Sequence, residues 1–144
     1  MEIRQLSIFL NNEPGSLQKV AQTLTSAKVN MRALSIVDST DFGLLRIIVD
    51  DVNQALLALE KKNYVVKVNP VLVLQVDDKI GGLNEILKLL ATNSINLEYI
   101  YAFAGGAIDG QALVLFKFDD NKAAAKVLKA NKIKLLSESD IAQI

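Results

Sequence analysis

The sequence predicts an α+β protein made of two successive βαββαβ units, each a four-stranded antiparallel sheet with two helices on one face. Three observations lead there. The chain repeats itself, apolar periodicity alternates between strand and helix in the same order within each copy, and no flexible linker separates the copies. Length alone, 144 residues, suggests one ordinary domain; the repeat divides it instead into residues 1–69 and 70–144.

Glu13-Pro14-Gly15-Ser16-Leu17-Gln18-Lys19-Val20-Ala21 aligns with Lys79-Ile80-Gly81-Gly82-Leu83-Asn84-Glu85-Ile86-Leu87 at an offset of 66. The same offset sets Val29-Asn30-Met31 over Ile95-Asn96-Leu97 and Leu34 over Ile100. After a three-residue slip, Leu45-Arg46-Ile47-Ile48-Val49-Asp50-Asp51 matches Val114-Leu115-Phe116-Lys117-Phe118-Asp119-Asp120, and Leu59 matches Leu128. The slip falls in the longer connection Ala104 to Gly110, and surface loops are where insertions are tolerated.

In the first copy, Ile3 to Leu10 is rich in Ile, Leu and Phe and ends in the turn-forming Asn11-Asn12, so it is a strand. Leu17, Val20, Ala21 and Leu24 recur at helical spacing, with Pro14 suited to the first turn of a helix that closes near Lys28-Val29-Asn30. Met31 to Val37 and Leu44 to Val49 form a hairpin around Asp38-Ser39-Thr40-Asp41-Phe42-Gly43. Asp50-Asp51 opens a second helix carrying Ala55, Leu56 and Leu59, its acids favourable at the positive N-terminus. Tyr64 to Val68 is the last strand.

The second copy repeats the order: strand Val71 to Val76, helix Leu83 to Ala91, strands Leu97 to Phe103 and Ala112 to Phe118, helix Asn121 to Ala130, strand Ile133 to Leu136. Each βαββαβ unit is the ferredoxin-like split βαβ arrangement. Its helix-free sheet face needs a partner or a polar surface.

Composition narrows the chemistry. With no His and no Cys there is no His-containing triad, no Cys nucleophile, no imidazole or thiolate metal site and no disulfide. No cofactor is expected and an enzyme is not. Sixteen basic and 16 acidic residues give zero formal charge, so neither nucleic acid nor an anionic membrane is an expected partner. No apolar run reaches the roughly 20 residues of a membrane span, and the N-terminus lacks the pattern of a secretory leader. A cytoplasmic location is expected.

The first strand-to-helix turn, Asn11-Asn12-Glu13-Pro14-Gly15-Ser16-Leu17, is the most informative segment. A helix N-terminus presents unpaired N–H groups to a small carboxylate, Gly15 permits close approach to the backbone, and the Asn12 amide both donates and accepts. The residues allow a plainer reading, in which Asn12 or Glu13 only caps the helix. This pattern of strand, Asn-x-Pro-Gly-x-Leu, helix, Val-Asn-Met, hairpin, helix and strand resembles the ACT domain, a regulatory module whose members commonly bind amino acids. The resemblance covers the whole chain as two such units. It implies that Asn12 and Asn30, 18 residues apart, contact the ligand's charged head group while backbone from Pro14 to Leu17 receives its carboxylate. Asp78 and Asn96 repeat that spacing in a second candidate turn, Asp78-Lys79-Ile80-Gly81-Gly82-Leu83, which keeps Gly and Leu but lacks the Pro.

Other motifs fit structural roles better. Gly105-Gly106-x-x-x-Gly110 joins two strands rather than a strand to a helix, so it lacks the context of a phosphate loop. Asp50-Asp51 and Asp119-Asp120 read as caps, Lys122, Lys126, Lys129, Lys132 and Lys134 as solvated positions, and Tyr99, Tyr101 and Phe103 as one packed strand face. The expected function is a non-catalytic sensor of a small molecule, an amino acid, bound near an interface between units of a homodimer. The alternative is a subunit that binds and controls a separate amino-acid-metabolism enzyme. RNA binding, which shares the βαββαβ order, is set aside because Leu44-Leu45-Arg46-Ile47-Ile48-Val49 supplies no aromatic to an open sheet.

Overall fold

A computed structural model describes residues 1–38, 42–105 and 108–144. The expected hairpin turn at 38–43 and the glycine-rich connection at 105–110 fall partly on residues 39–41 and 106–107, which lie outside the described residues. The chain divides into two compact units: residues 4–69 with 141–143, and residues 70–140 with 1–3 and 144.

The first unit contains β1 (Ile3–Asn11), α1 (Ser16–Ser26), β2 (Met31–Asp38), β3 (Phe42–Val49), α2 (Val52–Lys61) and the start of β4 (Val66–Asp77). Its strand order is β2-β3-β1-β4. Leu6, Ile8 and Leu10 alternate toward the helices and meet Leu45, Ile47, Val20, Leu24, Ala55 and Leu59 in one buried cluster. Fully burying each such aliphatic side chain contributes about 1.5–3 kcal/mol, and the 3.6-residue spacing of Leu17, Val20 and Leu24 aims α1 at that cluster. The opposite sheet face buries Gln5 and Ser7. They are satisfied locally: Gln5 Nε2 donates to Ser7 Oγ at 3.3 Å, and Ser7 Oγ donates to Asn69 Oδ1 at 2.8 Å.

The second unit contains the rest of β4 with α3 (Gly82–Thr92), β5 (Leu97–Ala102), β6 (Gln111–Phe118) and α4 (Asn121–Ala130), and its strands run β4-β6-β5. The register reproduces the first unit residue by residue. Leu6 pairs with Ile47 as Leu72 does with Phe116, and Asn11 with Phe42 as Asp77 does with Gln111. Even the irregularity recurs, between Met31 and Ala33 and between Leu97 and Tyr99.

Two expectations change. The strands read at Tyr64–Val68 and Val71–Val76 are one element, β4, running through Asn69-Pro70. The strand expected at Ile133–Leu136 is reduced to a bridge between Leu74 and Leu135, flanked by Gln75 N–H to the Lys134 carbonyl at 3.2 Å and Leu136 N–H to the Val73 carbonyl at 2.9 Å. It stops because Ser137 begins a short helix, α5 (Glu138–Ala142). Ser137 N–H donates to Asp140 Oδ2 at 2.7 Å and Asp140 N–H donates to Ser137 Oγ at 3.2 Å, a reciprocal cap that turns the chain out of the sheet.

Candidate functional site

The turn between β1 and α1 is a type II β-turn. Ser16 N–H donates to the Glu13 carbonyl at 3.3 Å, Pro14 holds the second position, and Gly15 takes the third at φ 85° and ψ −1°. A side chain at Gly15 would occupy a left-handed conformation that L-residues resist. Pro14 therefore precedes the helix rather than standing in its first turn, and α1 begins at Ser16 with Gly15 as N-cap. Neither Asn12 nor Glu13 caps it: no side chain accepts from its first amides. The amides of Leu17 and Gln18 precede the first intrahelical bond, Lys19 N–H to the Gly15 carbonyl at 3.0 Å, and the first turn carries no acid. The positive end of α1 thus faces solvent without an internal anion.

Beside this turn lies a concavity of about 140 Å³ whose lining includes Asn11, Asn12, Glu13, Ser16 and Leu17. Ile36, Phe42 and Gly43 complete its wall, residues the sequence reading did not assign to the site. Their signal is the antiparallel register, which sets Asn11 against Phe42 and Leu10 against Gly43.

Asn30 is not part of this concavity. It lies at the other end of the sheet, before Met31, which pairs with Val49, whereas Asp38 pairs with Gly43 beside the turn. The eight residues of β2 separate the two places by roughly 23 Å at the usual rise per strand residue. The cause is topological: α1 carries the chain back along β1, so β2 starts where β1 started. Asn30 N–H donates to Asp50 Oδ1 at 2.9 Å, and Asn96 Nδ2 to Asp119 Oδ2 at 2.7 Å. The Asp-Asp pairs therefore split their work. Asp50 and Asp119 pin the strand starts, while Asp51 and Asp120 cap α2 and α4 by accepting from Gln54 N–H and Ala123 N–H.

The second turn has the same backbone without the proline. Gly82 N–H donates to the Lys79 carbonyl at 3.0 Å, Ile80 replaces Pro14, and Gly81 sits at φ 84°. Its surroundings differ. Gly82, where the first copy has Ser16, lies so close to β4 that a Cβ would collide with the Asp77 carbonyl oxygen. Asp77 accepts from Gln111 Nε2 at 2.8 Å, and the Lys79 ammonium stands 3.4 Å from Asp77 and 3.9 Å from Glu85. The Gln111 hydrogen bond first, and Lys79 second, hold the Asp77 carboxyl below its ordinary range. Glu85 already supplies the first turn of α3 with negative charge, so this helix start is less receptive to a carboxylate than that of α1. Among the described residues, the expected ligand residue Asp78 bonds through its backbone, N–H to the Gly110 carbonyl at 3.2 Å.

Among the other motifs, Tyr99 and Tyr101 share a face and stack, with ring centroids 6.4 Å apart. Among the described residues no helix is long and apolar enough to cross a membrane.

A family model described as an ACT domain pair matches residues 1–144. Among solved structures, a protein from Bacteroides thetaiotaomicron is 33% identical, with a TM-score of 0.92 over 100% of this chain and 98% of its own. The ligand-free regulatory subunit of aspartate kinase from Thermus thermophilus is 16% identical, with a TM-score of 0.61 over 88% of this chain and 90% of its own. Aspartate kinase from Clostridium acetobutylicum is 18% identical, with a TM-score of 0.53 over 90% of this chain and 33% of its own. The last two likenesses concern the fold. No curated protein matches the chain.

Proposed function

Because this chain belongs to the family of ACT domain pairs, we propose that it is a non-catalytic regulatory protein that senses an amino acid at the turn between β1 and α1. The observation that carries the reading is the uncapped, acid-free start of α1, opening on a concavity beside Asn12 and Ser16. The ligand carboxylate meets the amides of Leu17 and Gln18, the Asn12 carboxamide takes the ammonium, and Leu17, Ile36 and Phe42 bound its side chain.

A homodimer supplies what one copy lacks. β2 is the outer strand of the first unit's sheet, and Leu34, Ile36 and Val37 on it are exposed by 40%, 46% and 41%. An unpaired apolar edge of this kind is a template for strand pairing. Antiparallel pairing of β2 with β2 of a second copy sets the Met31 end of one against the Asp38 end of the other. That brings the second copy's Asn30 to the same end of the sheet as this copy's turn, three strand spacings or about 14 Å from β1. Effector control then follows from the ligand's preference for one association state.

Isothermal titration of the full chain with each proteinogenic amino acid tests the reading. One amino acid is expected to bind at the turn, and Asn12→Ala should weaken it about tenfold, the loss of a hydrogen bond to a charged group, with an unchanged melting temperature. Absence of binding by any amino acid at millimolar concentration would overturn it. Light scattering, with Ile36→Lys as the variant that disrupts the edge, tests the dimer. The reading as a subunit of a separate enzyme predicts one stoichiometric partner in a pull-down from extract.

A further inference from the structure

Between α1 and α2 of the first unit lies a groove of about 710 Å³ that shares no lining residue with the concavity beside the turn. Sites for small molecules occupy about 300–1,000 Å³. β1 and β3 are antiparallel and each helix returns along the strand before it, so α1 and α2 pack in opposite directions. The start of α1 therefore stands beside the end of α2. This sets Lys19 at the same end of the groove as Lys61 and Lys62. No carboxylate is among the described residues that line the groove, and among the described residues none of these three ammonium groups has an ion-pair partner. Lys79 and Lys117, by contrast, stand 3.4 Å and 3.7 Å from carboxylates. Beyond the lysines the lining turns apolar. Leu57 projects from α2, 57% exposed, and Ala58 lies beside it.

Helix electrostatics explains part of this arrangement. Lys61 lies in the last turn of α2, where the negative end of the helix favours a cation. Lys19 has no such reason to be where it is. It makes the first backbone bond of α1, Lys19 N–H to the Gly15 carbonyl, at the positive end of that helix, where a cation is disfavoured. The second unit follows the rule: its aligned residue is an acid, Glu85, in the first turn of α3. The repeat also sets Ala130 against Lys61, Asn131 against Lys62 and Lys126 against Leu57. The same helix pair thus forms in the second unit without the cationic end or the exposed leucine, so the fold itself does not require them.

We infer that the groove between α1 and α2 is a binding site for a small, multiply charged anion on an apolar body, the chemistry of a nucleoside phosphate. Its charged groups meet Lys19, Lys61 and Lys62, and its body covers Leu57 and Ala58. The carboxamide of Gln54, which both donates and accepts, reads polar atoms on that body. The α1 side of the groove runs from Lys19 to Ser26, about 10 Å at the helical rise, a length for a small molecule rather than a polymer. The site goes beyond the amino-acid reading of the turn and stands or falls independently of it.

The test is an amide-resolved NMR titration of the full chain with ADP, GDP, CDP and UDP, with pyrophosphate and adenosine supplying the charge and the body separately. At least one diphosphate is expected to shift amides within residues 18–27 and 54–64, and to bind at least about tenfold more tightly than pyrophosphate or adenosine. Lys19→Glu should weaken that binding at least about tenfold, while the melting temperature holds or rises because an acid suits a helix start. Lys61→Gln should weaken it as well. Lys88→Gln, on the corresponding helix of the second unit, should leave it unchanged. No shift of the groove amides by any of the four diphosphates at millimolar concentration would overturn the inference. So would pyrophosphate binding as tightly as the diphosphates, undiminished binding in Lys19→Glu, or shifts confined to residues 12–17. Failure of every amino acid to bind at the turn, with a diphosphate bound in the groove, would refute the earlier reading alone.

Discussion

Exchanging Gly82 for serine, the residue that stands at the matching place in the first unit, separates backbone spacing from residue preference. A Cβ there meets the Asp77 carbonyl oxygen and lies 3.1 Å from its carbon, and this obstacle is backbone, so no side-chain rotation relieves it. Either α3 or the end of β4 must move. Overpacking of this kind costs about 1–3 kcal/mol. The same carbonyl accepts from Lys79 N–H at 2.9 Å, and weakening that bond adds up to about 1 kcal/mol. A total near 2–3 kcal/mol lowers the melting temperature of a chain of this size by about 4–12 °C. Differential scanning calorimetry of Gly82→Ser reads the effect, and Ser16→Gly is the control. The control removes a side chain from a helix start, so it should cost at most about 1 kcal/mol. Melting of Gly82→Ser within about 1 °C of the parent would refute the argument that the second turn is held closer to its strand than any side chain allows.

Removal of either cap, by Asp51→Ala or Asp120→Ala, should cost about 1 kcal/mol each, read by urea denaturation. Equal losses are expected because both carboxylates accept from the third residue beyond, at 2.9 and 3.0 Å. Asn121→Ala should cost more, about 2–3 kcal/mol: its buried carboxamide accepts from Phe118 N–H at 3.1 Å and donates to the Pro70 carbonyl at 2.9 Å, and both would lose a partner. Asp77 should titrate below an ordinary carboxylate, and Gln111→Leu should raise its midpoint by removing the first cause of the depression. The sign follows: a depressed folded value stabilises at pH above the unfolded value and is lost as pH falls through the folded one. Gln111→Leu should therefore diminish the acid sensitivity of the second unit, measured by ¹³C carboxyl NMR alongside acid unfolding.

Much of the fold was legible in short-range patterns. The switch between alternating and 3.6-residue periodicity located both first strands and all four long helices, since each pattern follows from the geometry of one element. The Pro-Gly turn was found, but its detail was not. Pro14 and Gly15 are also suited to a type II turn, and that preference displaced the helix start to Ser16. The fourth strand of the second unit was lost to Ser137 and Asp140, a capping pair that the apolar pattern of Ile133 to Leu136 does not reveal. Ile36, Phe42 and Gly43 could not be attached to the turn by periodicity, because their closeness to it depends on strands paired across long stretches of chain.

By itself the sequence determined the duplication, the order of elements in each unit, the apolar stripe of each helix and the turn with its exposed amides. These are consequences of residue spacing and of local backbone preference. The tertiary structure decided which chain ends meet. It put Asn12 and Asn30 at opposite ends of one sheet, although their spacing of 18 residues suggested a pair. It also made the two turns, alike in backbone, unlike in surroundings: an acid-free helix start in one unit, and Gly82 held against the Asp77 carbonyl with Gln111, Lys79 and Glu85 beside it in the other. The physical reason is that register and crossover direction are long-range properties, fixed when strands pair.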